Sequence, residues 1–161
     1  MDETELAALA EDIATIAGRR SRTVAVAESL TSGQVAAHLG AAAEASKWFR
    51  GAVVAYASSV KFDVLGVTPG PVVTASCARQ MVRGVARLLD ADLAVSITGV
   101  GGPGSEEGRP AGTVFIAVHG ADGEARCEEF HFDGDPADVV KASASAAMTL
   151  LAEAMREEIS L

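Results

Sequence analysis

Short unbroken apolar runs alternating with amphipathic segments predict a three-layer α/β/α domain with a mostly parallel mixed sheet of about five strands. Three observations carry this expectation. Residues 23–27, 51–56 and 93–98 are apolar without alternation, as strands covered on both faces are. Residues 3–19 and 74–89 repeat apolar side chains at three- and four-residue spacing, as helices with one buried face do. Asp122-Gly123 separates two further strand-like runs, and such a pair marks a tight hairpin.

In chain order, Leu6, Leu9, Ile13 and Ile16 define the first helix, closed by Gly18 and the basic run Arg19-Arg20-Ser21-Arg22. The strand at 23–27 stops at Glu28-Ser29-Leu30-Thr31-Ser32-Gly33, and a short helix follows over residues 34–39. Residues 41–49 are helical or irregular, 51–56 form a buried strand closed by Tyr56, and 57–65 turn into a short helix stopped by Gly66. Thr74 caps the strongest helix, whose apolar face is Ala78, Met81, Val82, Val85, Leu88 and Leu89. Its Arg79, Arg83 and Arg87 form the solvated face. A strand at 93–98, a glycine-rich loop at 99–108 and a strand at 112–118 come next. The hairpin makes the strand at 125–132 antiparallel to the one before it. Asp135 at the N-cap and Pro136 at the first helical position open a final helix running to about Glu158.

No linker or repeat divides residues 1–161, so one domain is expected. A net charge of −9 without a basic cluster argues against nucleic-acid binding, which rests on neutralising phosphates. No apolar run reaches the roughly 18 residues that cross a bilayer. The acidic start Met1-Asp2-Glu3-Thr4-Glu5 lacks the basic end of a signal peptide, so a cytoplasmic protein is expected. Cys77 and Cys127 are too few for a disulfide framework or a zinc site and read as reduced, buried hydrophobes.

Gly99-Val100-Gly101-Gly102-Pro103-Gly104 matches the dinucleotide fingerprint literally, but Pro103 falls inside it and the chain continues through Arg109-Pro110 into a strand. The helix that would hold a pyrophosphate is missing. What survives is a loop rich in free N–H groups at a strand end, suited to a ligand or an oxyanion. Ser29, where a strand meets a helix start, is the candidate nucleophile. A serine needs a base. His38, His119 and His131 show no partner pattern or metal spacing. A buried, uncharged lysine can serve instead, and Lys61 is a lone cation in an apolar segment. On residues alone two readings of Lys61 stay open: a base, or an ammonium reaching solvent along its stem. Tyr56 could orient a reactant or pack in the core. Trp48, Phe49 and Arg50 could stack on a planar ring or pack over the sheet, and Glu28 could balance charge or bond to turn N–H groups.

Ala27-Glu28-Ser29-Leu30-Thr31-Ser32-Gly33 resembles the A-E-S-C-T-G-G segment of the CinA C-terminal domain family. Trp48 to Tyr56, with Lys61 beyond, is similar to that family's F-x-G-G-x-V-x-Y-…-K segment. Thr98 to Gly104 resembles T-G-I-A-G-P-G, Arg109 to Val114 resembles K-P-V-G-T-V, and Phe132-Asp133-Gly134-Asp135 resembles F-x-G-D. The resemblance implies the stand-alone form of a nicotinamide-nucleotide amidohydrolase, which converts nicotinamide mononucleotide to nicotinate mononucleotide and ammonia without metal or redox cofactor. It implies Ser29 as nucleophile, Lys61 as its base and Tyr56 as an assistant. Glu28, Thr31, Ser32, Gly33, Phe49, Thr98, Gly99, Gly101, Gly102 and Arg109 are the expected substrate-binding residues. Ser32 departs from the pattern at a glycine, Leu30 at a cysteine, Gly101 at an alanine, and Pro136 and Lys141 at arginines. The competing expectations are a nucleotide sensor that has lost activity and an oligomeric partner protein. A small-molecule nucleotide substrate and a homodimer are the expected partners.

Overall fold

The computed structural model describes residues 1–157. The elements follow in the order α1 (Glu3–Arg20), β1 (Val24–Glu28), α2 (Gln34–Gly40), α3 (Ala45–Trp48), β2 (Phe49–Val54), α4 (Ser58–Leu65), α5 (Ala75–Leu88), β3 (Leu93–Gly99), β4 (Thr113–His119), β5 (Ala125–His131) and α6 (Pro136–Glu157). The expected helix end at Glu158 lies outside the described residues. Among those residues, no helix is long and apolar enough to cross a membrane.

The caps sit where the sequence puts them. The Thr74 hydroxyl accepts from Cys77 N at 3.0 Å, and Asp135 and Asp138 each accept the other's backbone N–H. Asp2 and Glu5 form a further capping box on α1.

The sheet order is β2-β1-β3-β4-β5. β1 pairs in parallel with β2 and β3, while β4 is antiparallel to both β3 and β5. The sheet is mixed, as expected, with β4 running against the other four strands. Its ladders divide evenly between the two kinds. Parallel strands need a crossover connection, usually a helix. The glycine loop carries none, so β4 returns directly beside β3.

Alternation along β1 builds two cores. Val24 and Val26 pack with Leu6, Ile13, Met148 and Leu151 beneath α1 and α6. Ala25 and Ala27 pack with Met81, Val82 and Phe115 beneath α5. β2 departs from expectation: it is an edge strand, only half covered, with Val54 exposed. Its ladder ends at Val54, which leaves Tyr56 outside the strand.

α4, which carries Lys61, is seated on α5 at Gly84. A Cβ there would collide with the Leu65 carbonyl, so only glycine admits this approach. The chain leaves β1 toward β2 on one side and later enters β3 on the other. The carboxyl ends of β1 and β3 therefore flank a point where strand order reverses, the usual ligand crevice of such sheets.

Candidate active site

Ser29 directly follows β1 at this crevice and is 7% exposed. Beyond it the chain reverses sharply: Ser32 N donates to Ser29 O at 3.1 Å and Gln34 N to Thr31 O at 3.0 Å. Ser32 and Gly33 both adopt left-handed backbone, with φ of 49° and 98°. The position where Ser32 replaces the family's glycine does take a positive φ, and serine bears the steric cost. Ser32→Gly is therefore expected to stabilise the fold by about 1 kcal/mol, raising Tm by roughly 2–4 °C in a thermal melt.

Glu28 is fully buried, and its carboxyl oxygens accept from Val35 N at 3.2 Å and Ala36 N at 2.9 Å. It caps α2, whose own N-cap, Gly33, has no side chain to do so. The expected binding role gives way to this structural one, because both oxygens are spent on the helix. Glu28→Ala should cost about 2–4 kcal/mol in urea unfolding, since it strands two N–H groups with no acceptor.

Lys61 is 2% exposed, so it does not snorkel. Its Nζ lies 3.0 Å from Ser29 Oγ, 2.7 Å from Ala55 O and 3.2 Å from Tyr56 O. A neutral amine has two N–H donors and one lone pair. As an ammonium, Lys61 donates to Ser29 Oγ and to both carbonyls; once it has lost a proton, the two carbonyls can hold its N–H groups and leave its lone pair for the serine hydroxyl. Burial pushes the Lys61 pKa below its ordinary 10.5, against the opposing fields of Cys77, Glu106 and Glu107. Cys77 is itself pushed up to about 11 by burial, so at neutral pH it is a thiol without charge.

A cleft of about 210 Å³ opens above this pair. Ser29, Lys61, Tyr56, Thr98, Gly99, Gly101 and Gly102 line it. Tyr56 is 68% exposed there, not a core aromatic. The N–H groups of Gly101 and Gly102 have no acceptor among the described residues. Thr31, Ser32 and Gly33 shape the turn without lining the cleft. Thr31 is fully buried, and its Oγ1 has no hydrogen-bond partner among the described residues.

Phe49 and Arg109 do not come to the cleft. Phe49 pairs with Val24, at the opposite end of β1, and its ring meets Trp48 tilted by 48° at a centroid distance of 6.0 Å. That end lies roughly 13 Å away at the rise of a strand. Arg109 lies over the Phe115 ring at 5.4 Å. A larger cavity of about 600 Å³ also lies at that far end, and Ser29 is absent from its walls. Of the cysteines, Cys77 is buried and Cys127 only half-buried.

Leu30 and Pro136, noted in the sequence only as departures from the family pattern, also line the cleft, and Ser58, Val72, Val73, Glu106 and Val140 were missed from the sequence. Glu107 holds part of this wall, its carboxyl accepting from Val72 N at 2.9 Å and Val73 N at 2.8 Å, while Thr98 Oγ1 donates to Val72 O at 2.9 Å. Two adjacent acids inside a glycine loop were a readable signal. Val72 and Val73 offered none.

Residues 6–155 match the family model described as the CinA C-terminal domain. The chain belongs to this family. A putative competence-damage inducible protein of Bacillus subtilis is 33% identical over 93% of the chain, and a CinA-like protein of Thermosynechococcus vestitus 41% over 83%. The chain spans 37% and 33% of those relatives' lengths. Among solved structures, a CinA superfamily protein of Klebsiella pneumoniae superposes with a TM-score of 0.89 at 32% identity, covering 94% of this chain and 98% of that one. One from Escherichia coli gives 0.89 at 30%, covering 95% and 93%.

Proposed function

We propose that this CinA-family domain is an amidohydrolase in which Ser29 attacks a carboxamide carbon and Lys61 is its base. The carboxamide of a nicotinamide nucleotide is the substrate class, following the family resemblance. The observation that carries the reading is the Lys61 amine, buried, with two carbonyls fixing its N–H groups and Ser29 Oγ at 3.0 Å.

As Ser29 Oγ bonds to the amide carbon, its proton passes to Lys61 Nζ. The carbonyl oxygen becomes an oxyanion, for which the free N–H groups of Gly101 and Gly102 are the candidate donors. Collapse expels the amine, which takes the proton from Lys61 and leaves as ammonia. Tyr56, at the cleft wall, assists this transfer. Water then attacks the ester, Lys61 accepts its proton, and the acid and free Ser29 are released. A homodimer is the proposed assembly, supported by the open sheet edges at β2 and β5 and checked by sedimentation.

The test is ammonia release from nicotinamide mononucleotide by the purified chain, with hydroxylamine added to capture the acyl group as a hydroxamate. Release together with trapping supports the scheme. Thermal stabilisation by the nucleotide without turnover would support the sensor instead.

A further inference from the structure

We infer that Glu107 is a positioning residue: its carboxylate braces the glycine loop against the wall formed by Val72 and Val73, and so holds the Gly101 and Gly102 N–H groups in place for the reaction at Ser29. The inference rests on the amidohydrolase reading and adds a residue to its machinery. Glutamate is a poor local fit at position 107. Glu107 and Gly108 are the central pair of a tight turn, closed by Glu106 N donating to Arg109 O at 3.1 Å and Arg109 N to Glu106 O at 2.8 Å. Both adopt left-handed backbone, with φ of 52° and 74°. Such turns favour glycine, asparagine or aspartate, and glutamate bears a steric cost. Strain of this kind persists where other contacts over-determine the conformation. Here those contacts are hydrogen bonds to a remote segment. One carboxyl oxygen accepts from Val72 N at 3.1 Å and Val73 N at 2.8 Å, and the other from Val72 N at 2.9 Å.

Both sides of the brace lack regular structure of their own. Residues 66–73, between α4 and α5, form neither helix nor strand, and Pro69 and Pro71 have no N–H to donate. Among the described residues, the one further hydrogen bond at Val72 comes from Thr98 Oγ1 to its carbonyl, at 2.9 Å. The glycine loop is pinned at its base, where Val100 N donates to Thr113 O at 2.9 Å and Gly112 N to Val100 O at 2.8 Å. Beyond that base, every hydrogen bond from residues 101–109 to another part of the described chain runs through Glu107. Gly101 and Gly102 lie between the pinned base and the braced turn, and they line the same cleft as Val72 and Val73. An oxyanion donor works only when it is fixed before the charge develops, and a displacement of about 1 Å can cost on the order of 100-fold in rate. The effect is one of geometry, not of field. The Glu107 charge holds the Lys61 pKa up, so removing the charge alone would help the base.

The experiment measures ammonia release from nicotinamide mononucleotide by the whole chain and by Glu107→Asp, Glu107→Gln and Glu107→Ala, each well below its melting temperature. Hydrogen exchange is followed at the Val72, Val73, Glu106 and Arg109 amides. Aspartate keeps the charge and suits left-handed backbone, but is one methylene short of Val72 and Val73. Glutamine keeps the reach and one acceptor oxygen. The expected result is a kcat lower by on the order of 10–100-fold in Glu107→Asp and Glu107→Ala, with KM within about threefold of the parent and Glu107→Gln losing less than either. Exchange should quicken on both sides of the brace together. Glu107→Asp near the parent with Glu107→Gln far below it would assign the effect to charge and overturn the inference, leaving the hydrolase intact. A raised KM with unchanged kcat would do the same, as would turnover equal to the parent's once the Val72 and Val73 amides exchange freely. If the parent itself releases no ammonia, the amidohydrolase reading falls and exchange alone judges the brace: coupled quickening in Glu107→Asp upholds it, and quickening at Val72 and Val73 alone sinks it.

Discussion

Ser29→Ala is expected to cut ammonia release by about 10⁴-fold or more, with the hydroxamate trap falling to background. The magnitude follows from what the side chain does. In the proposed scheme its oxygen is the reacting atom, and among the described residues no other hydroxyl lies within hydrogen-bond distance of Lys61 Nζ. The substitution should leave stability within about 1 kcal/mol of the parent, because Lys61 keeps both carbonyl partners and only one oxygen is removed. Unchanged unfolding with lost turnover therefore separates a chemical role from a structural one. Turnover that survives would mean that water, not Ser29, attacks the amide, and the covalent scheme would fall.

The fold was largely legible because its signals are local. Thr74 and Asp135 cap their helices through bonds spanning three residues, which a sequence displays directly. β1 and β3 read as buried strands because their apolar runs face two cores. β2 reads the same way, yet is an edge. Its residues are apolar, but nothing in the chain states that no strand lies beyond it. The direction of β4 was half legible: the missing helix after residue 99 was read, but its consequence, that β4 returns antiparallel beside β3, shows only in the pairing.

The site divides along the same line. Ser29, Lys61 and Tyr56 were named because each interrupts an apolar pattern, and the turn of α4 over Ala55 and Tyr56 brings them together. Phe49 was misplaced because adjacency to β2 in sequence says nothing about which end of the strand faces the crevice. Glu28 was ambiguous because a carboxyl beside a serine reads alike as ligand and as cap. Only the two N–H groups of α2 decide it. Glu106 and Val72 come from segments remote in sequence, joined through Glu107. A contact over more than 30 residues leaves no periodic trace.

Lys61→Met should abolish hydrolysis, by about 10³-fold or more, and change how stability depends on pH. The base must be uncharged to accept the Ser29 proton. Burial lowers its pKa from 10.5, so activity should rise with pH through that depressed value and level off before 10.5. The same shift acts on folding. Between the folded and unfolded values the unfolded chain holds one more proton, so stability rises with pH across that window, by up to about 1.4 kcal/mol per pH unit. Below the folded value both states are charged and the full cost of burying the ammonium is present. Above 10.5 both are neutral and the cost is gone. Methionine fills a similar volume and does not titrate, but it leaves the Ala55 and Tyr56 carbonyls without a donor, at about 1–3 kcal/mol. The stability difference between the two proteins should therefore move in the parent's favour as pH rises, because every other titrating group is common to both. Urea unfolding from about pH 6 to about pH 10 reads this directly. Parallel curves, together with retained turnover, would mean that Lys61 does not lose its proton on this path and that the base for Ser29 lies elsewhere.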